Sequence, residues 1–113
     1  MRRSGSAARK LADSAPVFAA LGDETRLRLV SRMCDSGPTS IAKLTEGADV
    51  TRQAVAKHLR VLEDAGLVRV TREGRETVWE LEPRRLQQAR EYLDTISSQW
   101  DEALGRLRAF VER

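Results

Sequence analysis

The densest run of side chains able to do chemistry is Thr51-Arg52-Gln53-Ala54-Val55-Ala56-Lys57-His58-Leu59-Arg60. It carries three cations, an amide, a hydroxyl and the chain's single histidine, and no acid. On a helix, Val55, Leu59 and Leu62 are spaced four and three apart and share one face. Arg52, Gln53, Ala56, Lys57 and Arg60 are then left on the other. A face of this kind suits an anionic surface edged with hydrogen-bonding groups, as duplex DNA is. Arginine can pair bidentately with guanine, glutamine with adenine, and a threonine methyl can touch thymine. Thr51, Arg52 and Gln53 stand where base edges would be met. Lys57 and Arg60 stand where phosphates would be met, contacts that position a protein without reading sequence.

Other chemistries find little to work with. One cysteine, Cys34, excludes an internal disulfide, and with only His58 beside it a soft-metal site within one chain is hard to build. No glycine-rich phosphate loop, nucleophile elbow or metal-ligand pair is present. Asp101 and Glu102 are adjacent, so on a helix they diverge and do not form a carboxylate pair. The expectation is a protein that is not an enzyme, with no cofactor and no metal. Cys34 reads as a small buried hydrophobe, the alternative being a dimeric redox sensor with one thiol per chain. His58 lies between the two faces, either touching DNA or packing within the fold.

The flanking sequence supplies elements to hold that run. Residues 1–10, with Arg2, Arg3, Arg9 and Lys10, read as a flexible basic arm. Leu11 to Leu21 reads as a short first helix interrupted at Pro16. Gly22-Asp23 breaks it, with Asp23 as N-cap of a helix Glu24–Cys34, whose apolar face carries Leu27, Val30 and Met33, with Leu29 and Cys34 alongside. Asp35-Ser36-Gly37-Pro38 is a turn. A short helix from Thr39 carries Ile41, Ala42 and Leu44 and ends near Gly47. Thr51 then caps a helix Arg52 to Ala65, stopped by Gly66. Two short helices joined by a tight turn, the second with a polar outer face, make a helix-turn-helix. Leu67–Thr71 and Thr77–Leu81, joined through Arg72-Glu73-Gly74-Arg75, read as a hairpin with Trp79 as a packing residue. Arg72 and Arg75 at its tip could reach the DNA backbone or the adjacent minor groove.

Pro83 opens the last helix at a position where proline is tolerated. Leu86, Leu93, Trp100 and Leu107 fall seven apart, as do Ala89, Ile96, Ala103 and Phe110. The two sets interleave into a coiled-coil-like seam. A 30-residue helix of about 45 Å exceeds what a chain of this size needs for its own core, so part of the seam, with Leu11 of the first helix, is expected to meet a second copy. Trp100 would pack in the dimer core, a ligand pocket between the long helices being the minority option. The fold class is thus mainly α with a β-hairpin wing: a winged helix-turn-helix with a long C-terminal dimerisation helix. Residues 11–113 form a single DNA-binding and dimerisation domain.

Bulk properties agree. With 113 residues there is room for one domain. A net charge of +3 makes nucleic acid a plausible partner. No apolar run approaches the roughly 18 residues that cross a bilayer, and no apolar segment follows Arg2-Arg3 as a secretory signal requires. The expectation is a cytoplasmic protein with no membrane partner.

Two stretches resemble the signature segments of ArsR/SmtB-type repressors, in that family's order and spacing: Phe18-Ala19-Ala20-Leu21-Gly22-Asp23-Glu24-Thr25-Arg26-Leu27-Arg28-Leu29-Val30, and Thr51 through Val68. The likeness covers roughly residues 15–110. It implies a homodimer built from the first and last helices, and binding to double-stranded operator DNA that blocks transcription until an inducer or other signal releases it. It assigns DNA contact to Thr51, Arg52, Gln53, Lys57 and His58, with the wing at Arg72 to Arg75. The chain departs from the metal-sensing members, which carry paired cysteines near the helix before the recognition helix, or His/Asp/Glu pairs on the last helix. Thr39-Ser40-Ile41-Ala42-Lys43-Leu44 has no cysteine, and the last helix has no histidine. The resemblance is therefore to the non-metal-sensing branch. The competing reading is a dimeric winged-helix adaptor that no longer binds DNA; such an adaptor should have lost Arg52, Lys57 and Arg60.

Overall fold

The computed structural model describes residues 2–112. In chain order they form α1 (Arg2–Leu21), α2 (Glu24–Ser36), α3 (Ile41–Thr45), α4 (Arg52–Asp64), β1 (Val68–Glu73), β2 (Glu76–Leu81) and α5 (Pro83–Val111). Each of the three middle helices begins at an oxygen-bearing cap. The Asp23 carboxylate accepts from the Arg26 N–H at 3.0 Å, Ser40 Oγ from Lys43 at 3.3 Å, and Thr51 Oγ1 from Ala54 at 3.1 Å. These bonds satisfy amide donors that a helix start leaves unpaired. The strands pair antiparallel from Val68↔Leu81 to Glu73↔Glu76, leaving Gly74-Arg75 as the turn. Gly74 has φ 64°, a left-handed value that two-residue hairpin turns require and that glycine adopts without steric cost.

The core forms around α4. Val55, Leu59 and Leu62 have no exposed surface, as their spacing predicts, and pack with Leu29 and Met33 of α2, Leu44 of α3, Val17 and Ala20 of α1, Leu67, Trp79 and Ala89. The hairpin is tied to this core at its base. Thr39 and Trp79 exchange two backbone hydrogen bonds of 2.9 and 2.8 Å, so the loop before α3 adds one rung to the sheet. Trp79 is thus more than a hairpin packing residue, and it is 7% exposed. Its indole Nε1 is buried with no hydrogen-bond partner among the described residues, a desolvation cost that the ring's apolar burial must offset.

Several boundaries differ from those expected. Pro16 lies inside α1 without ending it. The ring removes one amide donor, and its exposed position leaves the freed carbonyl one turn back accessible to water. The helix also extends back over residues 2–10, expected as an arm: alanine, arginine and lysine there are good helix formers that continue a turn already nucleated. Met1 lies outside the described residues. The buried face of α2 is Leu29 and Met33, four apart, with Val30 half-buried. Leu27 is 51% exposed, and Cys34, expected to be buried, is exposed because it sits one residue, about 100°, round the helix from Met33. Among the described residues no helix is long and apolar enough to cross a membrane.

Because Leu59 is wholly enclosed, Leu59→Ala is expected to cost about 2–5 kcal/mol by lost burial and a residual cavity. Urea titration should show a lower midpoint with an unchanged slope.

Candidate nucleic-acid interface

α3, a five-residue helix, is too short to hold itself together in water. Arg32 of α2 does much of that holding. Its guanidinium donates to the carbonyls of Leu44, Lys43 and Glu46 at 2.8 to 2.9 Å, where the helix leaves acceptors unpaired and its dipole is negative. The turn leading into α4 is thereby fixed from below. Arg26 braces the other side, donating Nε–H to the Ala20 carbonyl at the end of α1 and approaching His58 Nδ1 of α4 at 3.2 Å. Sequence reasoning missed both arginines. On a helical pattern they look like surface charges, and the carbonyls they reach belong to elements 6 to 14 residues away.

With its inner face fixed, α4 turns outward the residues expected there. Gln53, Lys57 and Arg60, four and three apart, run down the side opposite Val55, Leu59 and Leu62, and all three are exposed. Thr51 and Arg52 are exposed at the N-terminal end. The Thr51 hydroxyl oxygen is engaged in capping, which leaves its methyl and its own proton for a ligand. Exposed Glu63 and Asp64 close the helix, so the acid-free surface spans its first turns. On the hairpin, Arg72 and Arg75 are exposed near the Gly74 turn. Arg69 is occupied: it donates to Glu80 at 2.8 Å and to Glu82 at 3.2 Å, and the Glu80 bond above all raises its pKa further.

His58 differs from the rest of the set. The resemblance assigns it to DNA contact, but its ring faces the start of α2, with a side chain 24% exposed. Its place on the wheel, one residue beyond Lys57, turns it from the outer face towards Arg26 and Asp23.

The seam of α5 also divides. Ala89 is buried in the chain's own core, so it is withdrawn from the expected seam, while Leu86 is half-buried and only partly turned to that core; α1 packs against α5. Phe18 and Tyr92 make a tilted aromatic contact across that junction, with centroids 6.0 Å apart. Farther along, Leu93, Trp100, Leu107 and Phe110 are 51–70% exposed, Ala103 is exposed and Ile96 half-buried. Leu11 of α1 is also exposed. Among the described residues no three His, Cys, Asp or Glu side chains gather within reach of one metal ion.

A short positioning helix, a cation-faced second helix and a basic hairpin beside it define a winged helix-turn-helix regulator. A family model described as a helix-turn-helix domain matches residues 21–71. An uncharacterised HTH-type transcriptional regulator of Bacillus subtilis (strain 168), YuzN, is 42% identical over 65 residues, covering 52% of this chain and 71% of its own. An HTH-type transcriptional regulator of Mycobacterium tuberculosis is 38% identical over 85 residues, 75% of this chain and 76% of that one. The solved structure of an ArsR-like transcriptional regulator from Rhodococcus sp. RHA1 superposes with a TM-score of 0.74 at 34% identity, covering 88% of this chain and 93% of that one. The chain belongs to the ArsR-type family of winged helix-turn-helix, DNA-binding transcriptional repressors.

The cap of α2 has a pH signature. The Asp23 carboxyl is held below its ordinary 3.8, first by the hydrogen bond from the Arg26 backbone N–H and then by the charges of Arg26 and His58. A lowered folded-state pKa means that the stabilisation is complete above the unfolded value and is lost as pH falls through the folded one. Urea midpoints measured from pH 7 down to pH 3 should therefore fall less for Asp23→Asn than for the wild type, the difference opening below the ordinary carboxylate pKa.

Proposed function

We propose that this chain acts as a homodimeric repressor, each subunit placing α4 in the major groove of an operator half-site. The observation that carries the reading is the acid-free line Gln53–Lys57–Arg60, exposed on a helix whose opposite side is wholly buried. Thr51, Arg52 and Gln53 at the leading end read base edges, Lys57 and Arg60 hold phosphates, and Arg72 and Arg75 on the wing reach the backbone beside the groove. Nothing in this reading calls for catalysis, a cofactor or a metal, and the protein would work in the cytoplasm.

The uncovered part of α5 supports dimerisation. Leu93, Trp100, Leu107 and Phe110 lie on one side of the helix, together with exposed Leu104 and Val111. Left in water this stripe is costly, and a second copy would bury it. Two recognition helices held by a shared spine suit half-sites one turn apart, roughly 34 Å on B-DNA.

Binding to duplex DNA upstream of the chain's own gene, followed across salt concentrations, tests the proposal, because an adaptor without DNA affinity has no such salt dependence. Each phosphate contact contributes about 0.9 to the slope of log affinity against log salt. Lys57→Ala should weaken binding fairly evenly across sequences and reduce that slope by about 1 for each subunit. An unchanged slope would remove Lys57 from the phosphate contacts. Leu93→Asp or Leu107→Asp should yield monomers with poor operator affinity; light scattering that still reports a dimer would place the interface elsewhere.

A further inference from the structure

His58 is the single histidine of the chain, and its ring is directed away from the cationic face. Nδ1 lies 3.2 Å from an Arg26 guanidinium nitrogen and 3.8 Å from a carboxylate oxygen of Asp23. A guanidinium only donates, so the Arg26 contact requires Nδ1 to accept, with the ring neutral and its proton on Nε2. Arg26 is fixed independently: Nε–H donates to the Ala20 carbonyl, and its backbone N–H donates to Asp23. The charged groups facing the ring are thus Arg26 and Asp23, both at the start of α2. From α1 the junction receives a backbone carbonyl. Among the described residues, α3 and the hairpin bring no titratable side chain into hydrogen-bond or ion-pair contact with it.

We propose that neutral His58 is a positioning residue, seating the recognition helix by accepting a hydrogen bond from Arg26, and that protonating the ring weakens DNA binding by breaking this seat. The inference rests on the operator-binding reading and adds a proton-linked control to it. A proton on Nδ1 sets two donors and two like charges against each other at the distance where a bond stood. The nearest alternative acceptor, the Asp23 carboxylate, lies 3.8 Å from Nδ1, beyond hydrogen-bond distance, so the protonated ring can reach it only by moving. The ring must shift, and it is carried on the turn of α4 that holds Lys57 and Arg60. The sign of the effect is diagnostic. A histidine that touched a phosphate would gain charge in acid and strengthen binding, whereas this seat is lost in acid and binding weakens.

The experiment compares wild type with His58→Asn in the full chain, measuring operator affinity from pH 8 to pH 6 at constant ionic strength. The Asn amide oxygen can stand near the place of Nδ1 as an acceptor and does not titrate in this range. Whatever its absolute affinity, the variant should stay nearly flat across this range, while wild type loses several-fold in affinity on acidification. Tighter binding in acid, or equal pH slopes for the two proteins, would overturn the proposal. With one histidine present, imidazole 15N shifts of the free protein give a second readout that needs no DNA. A neutral ring protonated at Nε2 is expected, and a ring protonated at Nδ1 rules out the Arg26 seat. Absence of duplex binding at every pH would defeat the operator reading and the control built on it, while the nitrogen shifts would still decide the contact itself.

Discussion

The burial of one side of α4 is the constraint on which the remaining structure depends. Val55, Leu59 and Leu62 have no exposed surface, and α4 packs against α1, α2, α3 and β1. A helix gripped over two turns in this way cannot rotate without opening cavities in a close-packed interior. The rotation of the helix is therefore set by apolar packing, and the polar side is displayed as a result. Recognition chemistry needs side chains held within fractions of an ångström of their partners. Here that exactness comes from residues that would touch no ligand.

Polar contacts refine what packing begins. Arg32 completes the end of a helix too short to stand alone, and Arg26 joins the ends of α1 and α2 to α4. Both use guanidinium geometry, several donors in one plane, to serve acceptors from different elements, which a lysine could not reproduce. Through these intramolecular bonds each helps to set where the outward residues stand.

Much of this was legible in the sequence because it is local. Caps at Asp23 and Thr51, the stop after α4, the hairpin around Gly74 and the buried trio of α4 all follow from residues within a few positions of one another. What escaped depends on distance along the chain or on exact rotation. The Thr39–Trp79 rung joins residues 40 apart in sequence, with no pattern to announce it. On α2, Cys34 and Leu27 were placed on the apolar face, and a shift of one residue turned both to solvent. For His58 the residue type was read and its direction was not, since a position at the border of two faces is decided by which neighbour offers the better partner. The seam of α5 was read as one stripe, but Ala89 is taken into the chain's own core, leaving the distal positions open.

The rung at the base of the wing has a mechanical consequence. Two backbone bonds tie the inner end of β2 to the segment that launches α3, so the hairpin and the reading helix share one frame at their roots, while the Gly74 tip is exposed on both sides. If the cations on α4 and those on the wing both meet DNA, as proposed, the span between them acts like a caliper of preset opening, and DNA whose groove width departs from that opening would have to deform to fit, at an energetic cost that varies with its sequence. Part of the discrimination between sites would thus lie in base pairs that no side chain touches.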